Sequence, residues 1–141
     1  MRPKKVILCV DDNEQELSVL KFTLATNGYR VLAASNGQEA IAVFSTAPQI
    51  DLVLADTNMP QMSGAQLAER LKRMKPYVPM ILLGEPQAVN GEIHVADAVL
   101  ARKSCSSQEL LERIKVMSAR KRGPRKGAQR MTQVEELAAA S

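Results

Sequence analysis

Apolar and polar positions along the chain sort into two kinds of segment that alternate. Short, mostly apolar runs stand at Val6 to Val10, about Arg30 to Ala34, Leu52 to Ala55, Met80 to Leu83 and Ala98 to Ala101. Runs of this length without a regular polar face suit strands buried on both sides. Between them, apolar residues recur at helical spacing. Leu17, Leu20, Phe22 and Leu24 form one set, and Ala40, Ile41, Val43 and Phe44 a second. Leu67, Leu71 and Met74 form a third, and Leu110, Leu111, Ile114 and Met117 a fourth. Such stripes predict helices that face a core.

The boundaries agree with this division. Asn13 precedes Glu16 by three residues, and Ser106 precedes Glu109 by three, the spacing of a side-chain N-cap with an acidic third residue. Asn27-Gly28 predicts a left-handed helix end. A helix is expected from about Gly64 to Met74. Between the fourth and fifth runs, Glu85 to Asp97 should hold another, but Pro86 opens that segment and Asn90-Gly91 interrupts it, which predicts a short or distorted helix. Five strands separated by helices require crossover connections, which are right-handed and cover both faces of a parallel sheet. The fold class expected is therefore α/β, a doubly wound five-stranded parallel sheet.

Bulk properties narrow the reading. With 141 residues and 45% hydrophobic content, the chain suits one domain with a real core, plus a tail. No run approaches the roughly 18 apolar residues of a membrane span, so a soluble, cytoplasmic protein without membrane contact is expected. Cys9 and Cys105 lie far apart without metal-ligand spacing, which predicts two reduced, unpaired thiols. The formal charge of +4 is unevenly placed: residues 1–118 hold 13 basic and 13 acidic side chains, and residues 119–141 hold six and two. Residues 4–118 are expected to form the domain, and residues 119–141 a basic tail, flexible or partly helical, with Thr132 and Glu135 spaced to cap a short helix. Such a tail can bind nucleic acid by counterion release. It is too short for a helix-turn-helix domain, so nucleic acid is not the favoured partner. His94 is the single histidine, which excludes a two-histidine metal site within one chain.

In doubly wound sheets, ligands bind beyond the carboxyl ends of the strands, where strand order reverses. Asp11 and Asp12 directly follow the first apolar run, and Asp56 closes the third. If these runs are neighbouring parallel strands, three carboxylates share one pocket. Mutual repulsion would then favour a hard divalent cation, with Mg²⁺ suited to an all-oxygen shell that retains waters.

Two stretches carry a family resemblance: Leu8-Cys9-Val10-Asp11-Asp12-Asn13, and Asp51-Leu52-Val53-Leu54-Ala55-Asp56-Thr57-Asn58-Met59-Pro60 followed by Met62-Ser63-Gly64. In this order they resemble the receiver domain of two-component response regulators, over about residues 4–118. The resemblance implies a flavodoxin-like strand order of 2-1-3-4-5. It also implies a single-domain receiver that is not an enzyme. Such a protein accepts a phosphoryl group on Asp56 from a partner histidine kinase or phosphotransfer protein, and signals to a downstream protein by changed contacts. Asp12, Asp56 and the backbone carbonyl of Asn58 would hold Mg²⁺, with Asp11 assisting through water. A metal ion there neutralises charge on the group transferred to a carboxylate nucleophile.

The family's lysine after the fifth strand has two candidates. Counting from Asp97-Ala98-Val99-Leu100 selects Arg102, and counting back from Ser107-Gln108-Glu109 selects Lys103. Lys103 is preferred, since a compact ammonium suits a point contact to phosphate. The backbone of Thr57 would also contact the phosphoryl group. The hydroxyl residue expected after the fourth strand is replaced by Gly84, and the aromatic switch of the fifth strand by Val99 and Leu100. Two rival readings follow: a pseudo-receiver acting as a phosphorylation-independent interaction module, and an aspartyl-nucleophile hydrolase. The second would need a carboxylate where Asn58 stands.

Overall fold

The computed structural model describes residues 4–84, 96–101 and 105–119. Strands β1 (Val6–Val10), β2 (Arg30–Ala34), β3 (Leu52–Asp56), β4 (Met80–Leu83) and β5 (Ala98–Leu100) pair in parallel in the order β2-β1-β3-β4-β5. Helices α1 (Glu14–Thr26), α2 (Gly37–Thr46), α3 (Gly64–Met74) and α4 (Ser107–Ser118) complete the described elements. The fold class and strand order expected from the sequence are both found.

Each helix begins where a side chain can satisfy the free N–H groups of its first turn. Asn13 accepts from Glu16 N in α1 and Asn36 from Glu39 N in α2, while Ser63 with Gln66 and Ser106 with Glu109 form complete capping boxes for α3 and α4. At the end of α1, Gly28 takes φ +92°, as the Asn27-Gly28 pair predicts.

Alternation along the strands divides the core between the two sheet faces. Leu8, Val10, Val53, Ala55, Met80 and Leu82 pack with Phe44 of α2 and with Leu67 and Leu71 of α3. Ile7, Cys9, Leu52, Leu54, Ile81 and Leu83 pack with Leu17, Leu20 and Leu24 of α1 and with Leu110, Ile114 and Met117 of α4. Burial of each such side chain contributes about 1.5–3 kcal/mol. The central strands β1, β3 and β4 are therefore fixed from both faces, and the ends of β1 and β3 inherit that rigidity. At the amino ends of the strands Asp51 accepts from Val6 N at 2.7 Å, and Asp97 accepts from Met80 N at 2.7 Å while pairing with Lys72 at 2.8 Å. These carboxylates tie the strand starts.

Four details differ from expectation. Phe22 is 74% exposed and Met74 is 41% exposed. Phe22 lies about 200° around α1 from Leu20, outside the Leu17-Leu20-Leu24 stripe. Met74 ends α3, three residues beyond Leu71, the last buried residue of that helix. Strand β5 ends at Leu100, and β3 runs one residue further than expected, through Asp56. The distorted helix expected over Glu85 to Asp97 lies, apart from Ala96 and Asp97, outside the described residues, as do His94 and the tail beyond Ala119.

Candidate acidic site at the carboxyl ends of β1 and β3

Strand β1 pairs with β2 on one side and β3 on the other, so the strand order reverses at β1. The register aligns Val10 with Ala55. Asp11 and Asp56 consequently emerge side by side, and Asp12 follows on the solvent side. Carboxylate oxygens of Asp11, Asp12 and Asp56 all lie within 4.8 Å of one another. Burial grades across the group, from Asp11 at 1% exposure through half-buried Asp56 to exposed Asp12. The cluster therefore opens to solvent on one side.

The loops around it are held by hydrogen bonds from the backbone. Asn13 N donates to Asp11 Oδ1 at 2.9 Å, and Asn58 N donates to Asp56 Oδ2 at 3.1 Å. Asp11 N donates to Ala34 O at 3.1 Å, which ties the start of the β1–α1 loop to β2. After Asp56 the chain turns sharply: Met62 N donates to Pro60 O at 2.7 Å around Gln61, whose φ is 69°. This γ-turn delivers Ser63 to the N-cap of α3. Two residues upstream of Asp11, the Cys9 thiol is pushed up to about 12, first by burial and then by the Asp11 carboxylate, with Lys21 opposing. Cys9 and Cys105 are both unpaired, as expected.

An all-oxygen set of three clustered carboxylates, one exposed and able to adjust, matches the donor chemistry of a hard divalent cation such as Mg²⁺. Of the residues singled out from the sequence, Asp11, Asp12 and Asp56 come together. Thr57 and Asn58 adjoin them in the chain, and Gly84 closes β4 beside Thr57. Lys103 and Arg102 lie outside the described residues.

Two features were not assigned roles from the sequence. Gly64 sits so close to β3 that a Cβ there would meet the carbonyl oxygen of Asp56 at 2.2 Å. Its N–H donates to Thr57 O at 3.1 Å. A glycine in the first turn of a helix, where it is a poor helix former, was the available signal. The second feature is the Thr57 side chain, 4% exposed and packed against Gly84. The absence of a hydroxyl at position 84 was visible in the sequence, but its relation to Thr57 depends on strand register.

A family model for the response regulator receiver domain matches residues 7–115. The chain belongs to the response regulator receiver family. Receiver relatives include the phosphate regulon transcriptional regulatory protein PhoB of Pseudomonas aeruginosa, 35% identical over 125 residues, covering 85% of this chain and 54% of PhoB. The autoinducer 1 sensor kinase/phosphatase LuxN of Vibrio campbellii is 36% identical over 77 residues, covering 55% of this chain and 9% of LuxN. The chain thus spans about half or less of these curated relatives. Among solved structures, response regulator protein TrrA of Thermotoga maritima, in complex with Mg²⁺–BeF, is 33% identical. It superimposes with a TM-score of 0.74, covering 80% of this receiver and 98% of TrrA. No helix among the described residues is long and apolar enough to cross a membrane.

Proposed function

We propose that this receiver accepts a phosphoryl group on Asp56 and signals by changed protein contacts. The observation that carries the reading is the convergence of Asp11, Asp12 and Asp56 within 4.8 Å at the point where strand order reverses. Asp56 is the nucleophile: it is half-buried, and the N–H of Asn58 orients one of its oxygens. Asp12, Asp56 and the backbone carbonyl of Asn58 would hold Mg²⁺, with Asp11 acting through water. Bound there, the cation would supply positive charge to offset that of the incoming group, while Asp56 presents its carboxylate as the nucleophile. The Thr57 backbone and Lys103, or else Arg102, complete the contacts to the phosphoryl oxygens. The receiver portion is residues 4–118, and residues 119–141 are a basic extension.

The donor is a histidine kinase or phosphotransfer protein, the kind of partner that a receiver domain serves. Helix α1, which begins beside the acidic cluster, exposes Val19 and Phe22 three residues apart. These side chains offer apolar surface to such a partner. The protein works as a switch in the cytoplasm rather than as a turnover enzyme. Incubation with acetyl phosphate and Mg²⁺, followed by intact mass measurement, tests the assignment. One phosphoryl group should add to wild type and none to Asp56→Asn. Equal masses before and after treatment of wild type would instead favour a phosphorylation-independent interaction module, the reading that Gly84 suggests.

A further inference from the structure

The end of β4 lacks a hydroxyl, yet a hydroxyl lies beside it. The pairing of Asp56 with Leu83 continues past the strands, with Thr57 N donating to Leu83 O at 2.9 Å and Gly84 N donating to Leu100 O at 3.0 Å. Thr57 and Gly84 are thereby neighbours. A Cβ on Gly84 would meet Thr57 Oγ1 at 1.9 Å, Thr57 Cβ at 3.0 Å and Thr57 Cγ2 at 3.1 Å. The Thr57 side chain thus occupies the volume from which any side chain at position 84 would start. Gly84 also takes φ +151°, a conformation that side-chain-bearing residues rarely adopt.

The hydroxyl itself is a second, independent observation. Thr57 is 4% exposed, and its Oγ1 makes no hydrogen bond among the described residues. Buried hydroxyls in folded proteins nearly always have a partner, and an unpaired one points to a ligand or ion that completes it. Thr57 directly follows Asp56 in the chain, and its Oγ1 lies where a side chain at position 84 would begin, the position that the family resemblance assigns to a phosphoryl-binding hydroxyl.

We propose that Thr57 Oγ1 donates the hydrogen bond to the phosphoryl group on Asp56 that a residue at the end of β4 would otherwise supply, and that position 84 is glycine because it must admit the Thr57 side chain. This inference rests on phosphoryl acceptance by Asp56. It assigns the side chain of Thr57, in addition to its backbone, to the phosphoryl-binding machinery. The competing interpretation is that Thr57 only fills space beside a glycine.

Titration of the full chain with beryllofluoride in saturating Mg²⁺, read by calorimetry, separates the two. Thr57→Val keeps the branched shape and removes the hydroxyl; Thr57→Ser keeps the hydroxyl and removes a methyl. A hydrogen bond to a charged acceptor predicts that Thr57→Val weakens beryllofluoride about ten- to a hundredfold, while Thr57→Ser stays within about threefold of wild type. Mg²⁺ affinity without beryllofluoride should not change in either variant, because a hydroxyl donor is aimed at the anion. Thr57→Ala supplies a second hydroxyl-free variant should the valine protein fail to fold, with the same loss expected. Wild-type affinity in Thr57→Val or Thr57→Ala, or an equal loss in Thr57→Ser, would overturn the assignment of Thr57 and leave phosphoryl acceptance intact. Failure of wild type itself to bind beryllofluoride would overturn both.

Discussion

Replacing Gly64 with alanine sets helix propensity against packing, and the structure says which should win. Alanine is favoured over glycine inside a helix by about 0.8–1 kcal/mol. Against this, the new methyl group would stand 2.2 Å from the carbonyl oxygen of Asp56 and 3.0 Å from both its carbonyl carbon and Thr57 Cα. Those are backbone atoms of a buried strand end, so no side chain can swing away, and roughly 1 Å of movement is needed to reach ordinary contact. Overpacking of this kind costs about 1–3 kcal/mol. Stretching the hydrogen bond from Gly64 N to Thr57 O adds up to about 1 kcal/mol. The net expectation for Gly64→Ala is a loss centred on about 1.5 kcal/mol and reaching about 3 kcal/mol, or a fall in Tm of roughly 6–12 °C for a domain of this size. Circular dichroism melts in cation-free buffer would measure it. Gly28→Ala is the control: its φ is +92° with nothing within 4 Å of the added methyl, so only the backbone cost of about 1–2 kcal/mol applies. Because the atom struck by the Gly64 methyl belongs to Asp56, Gly64→Ala should also weaken Mg²⁺ binding, whereas Gly28→Ala should not. A Tm for Gly64→Ala at or above wild type would mean that propensity dominates and that the close approach of α3 to β3 is wrong.

Two further outcomes are expected. At separations up to 4.8 Å, each carboxylate pair in the acidic cluster repels by about 1 kcal/mol even at the dielectric constant of water. Asp12→Asn should therefore raise Tm by a few degrees without divalent cations and abolish most of the rise that Mg²⁺ gives wild type; an equal Mg²⁺ response in both proteins would count against a shared cation site. The Cys9 thiol is raised from 9.0 to about 12 in the folded protein, so the unfolded chain releases its proton first as pH climbs. Folded Cys9 then holds the extra proton, and its contribution to stability, complete below pH 9, should decline progressively between about pH 9 and 12. Denaturant melts of wild type and Cys9→Ala at pH 8 and pH 10.5 should show the wild-type advantage shrinking at the higher pH, and a constant difference would refute the linkage.

The sheet was legible because its signals are local: apolar runs for the strands, Asn13, Ser106 and Asn27-Gly28 for helix ends. Asp11, Asp12 and Asp56 were legible because strand ends in a doubly wound fold have a known destination. Phe22 and Met74 were not, since apolar character alone does not say which side of a helix meets the sheet. The close approach of Gly64 to Asp56 and the fit of Thr57 against Gly84 were also hidden. Each joins residues 8 and 27 positions apart, and each depends on distances of a few tenths of an ångström that strand pairing and the γ-turn at Gln61 create.

Those hidden contacts converge on one peptide unit, the link between Asp56 and Thr57. The Asp56 carbonyl oxygen lies against Gly64, the Thr57 N–H donates to Leu83 O, the Thr57 carbonyl accepts from Gly64 N, and the Thr57 side chain fills the space beside Gly84. Nothing attached to the Asp56 carboxylate can displace this peptide without moving either the first turn of α3 or the end of β4, because close-packed interiors shift between discrete arrangements instead of deforming smoothly. A phosphoryl group adds about −1.5 to −2 charges at this point. The aliphatic Val99 and Leu100 provide no aromatic lever on β5, so the phosphoryl group proposed for Asp56 would bear most directly on Gly64 and the first turn of α3, and through Thr57 and Gly84 on the end of β4.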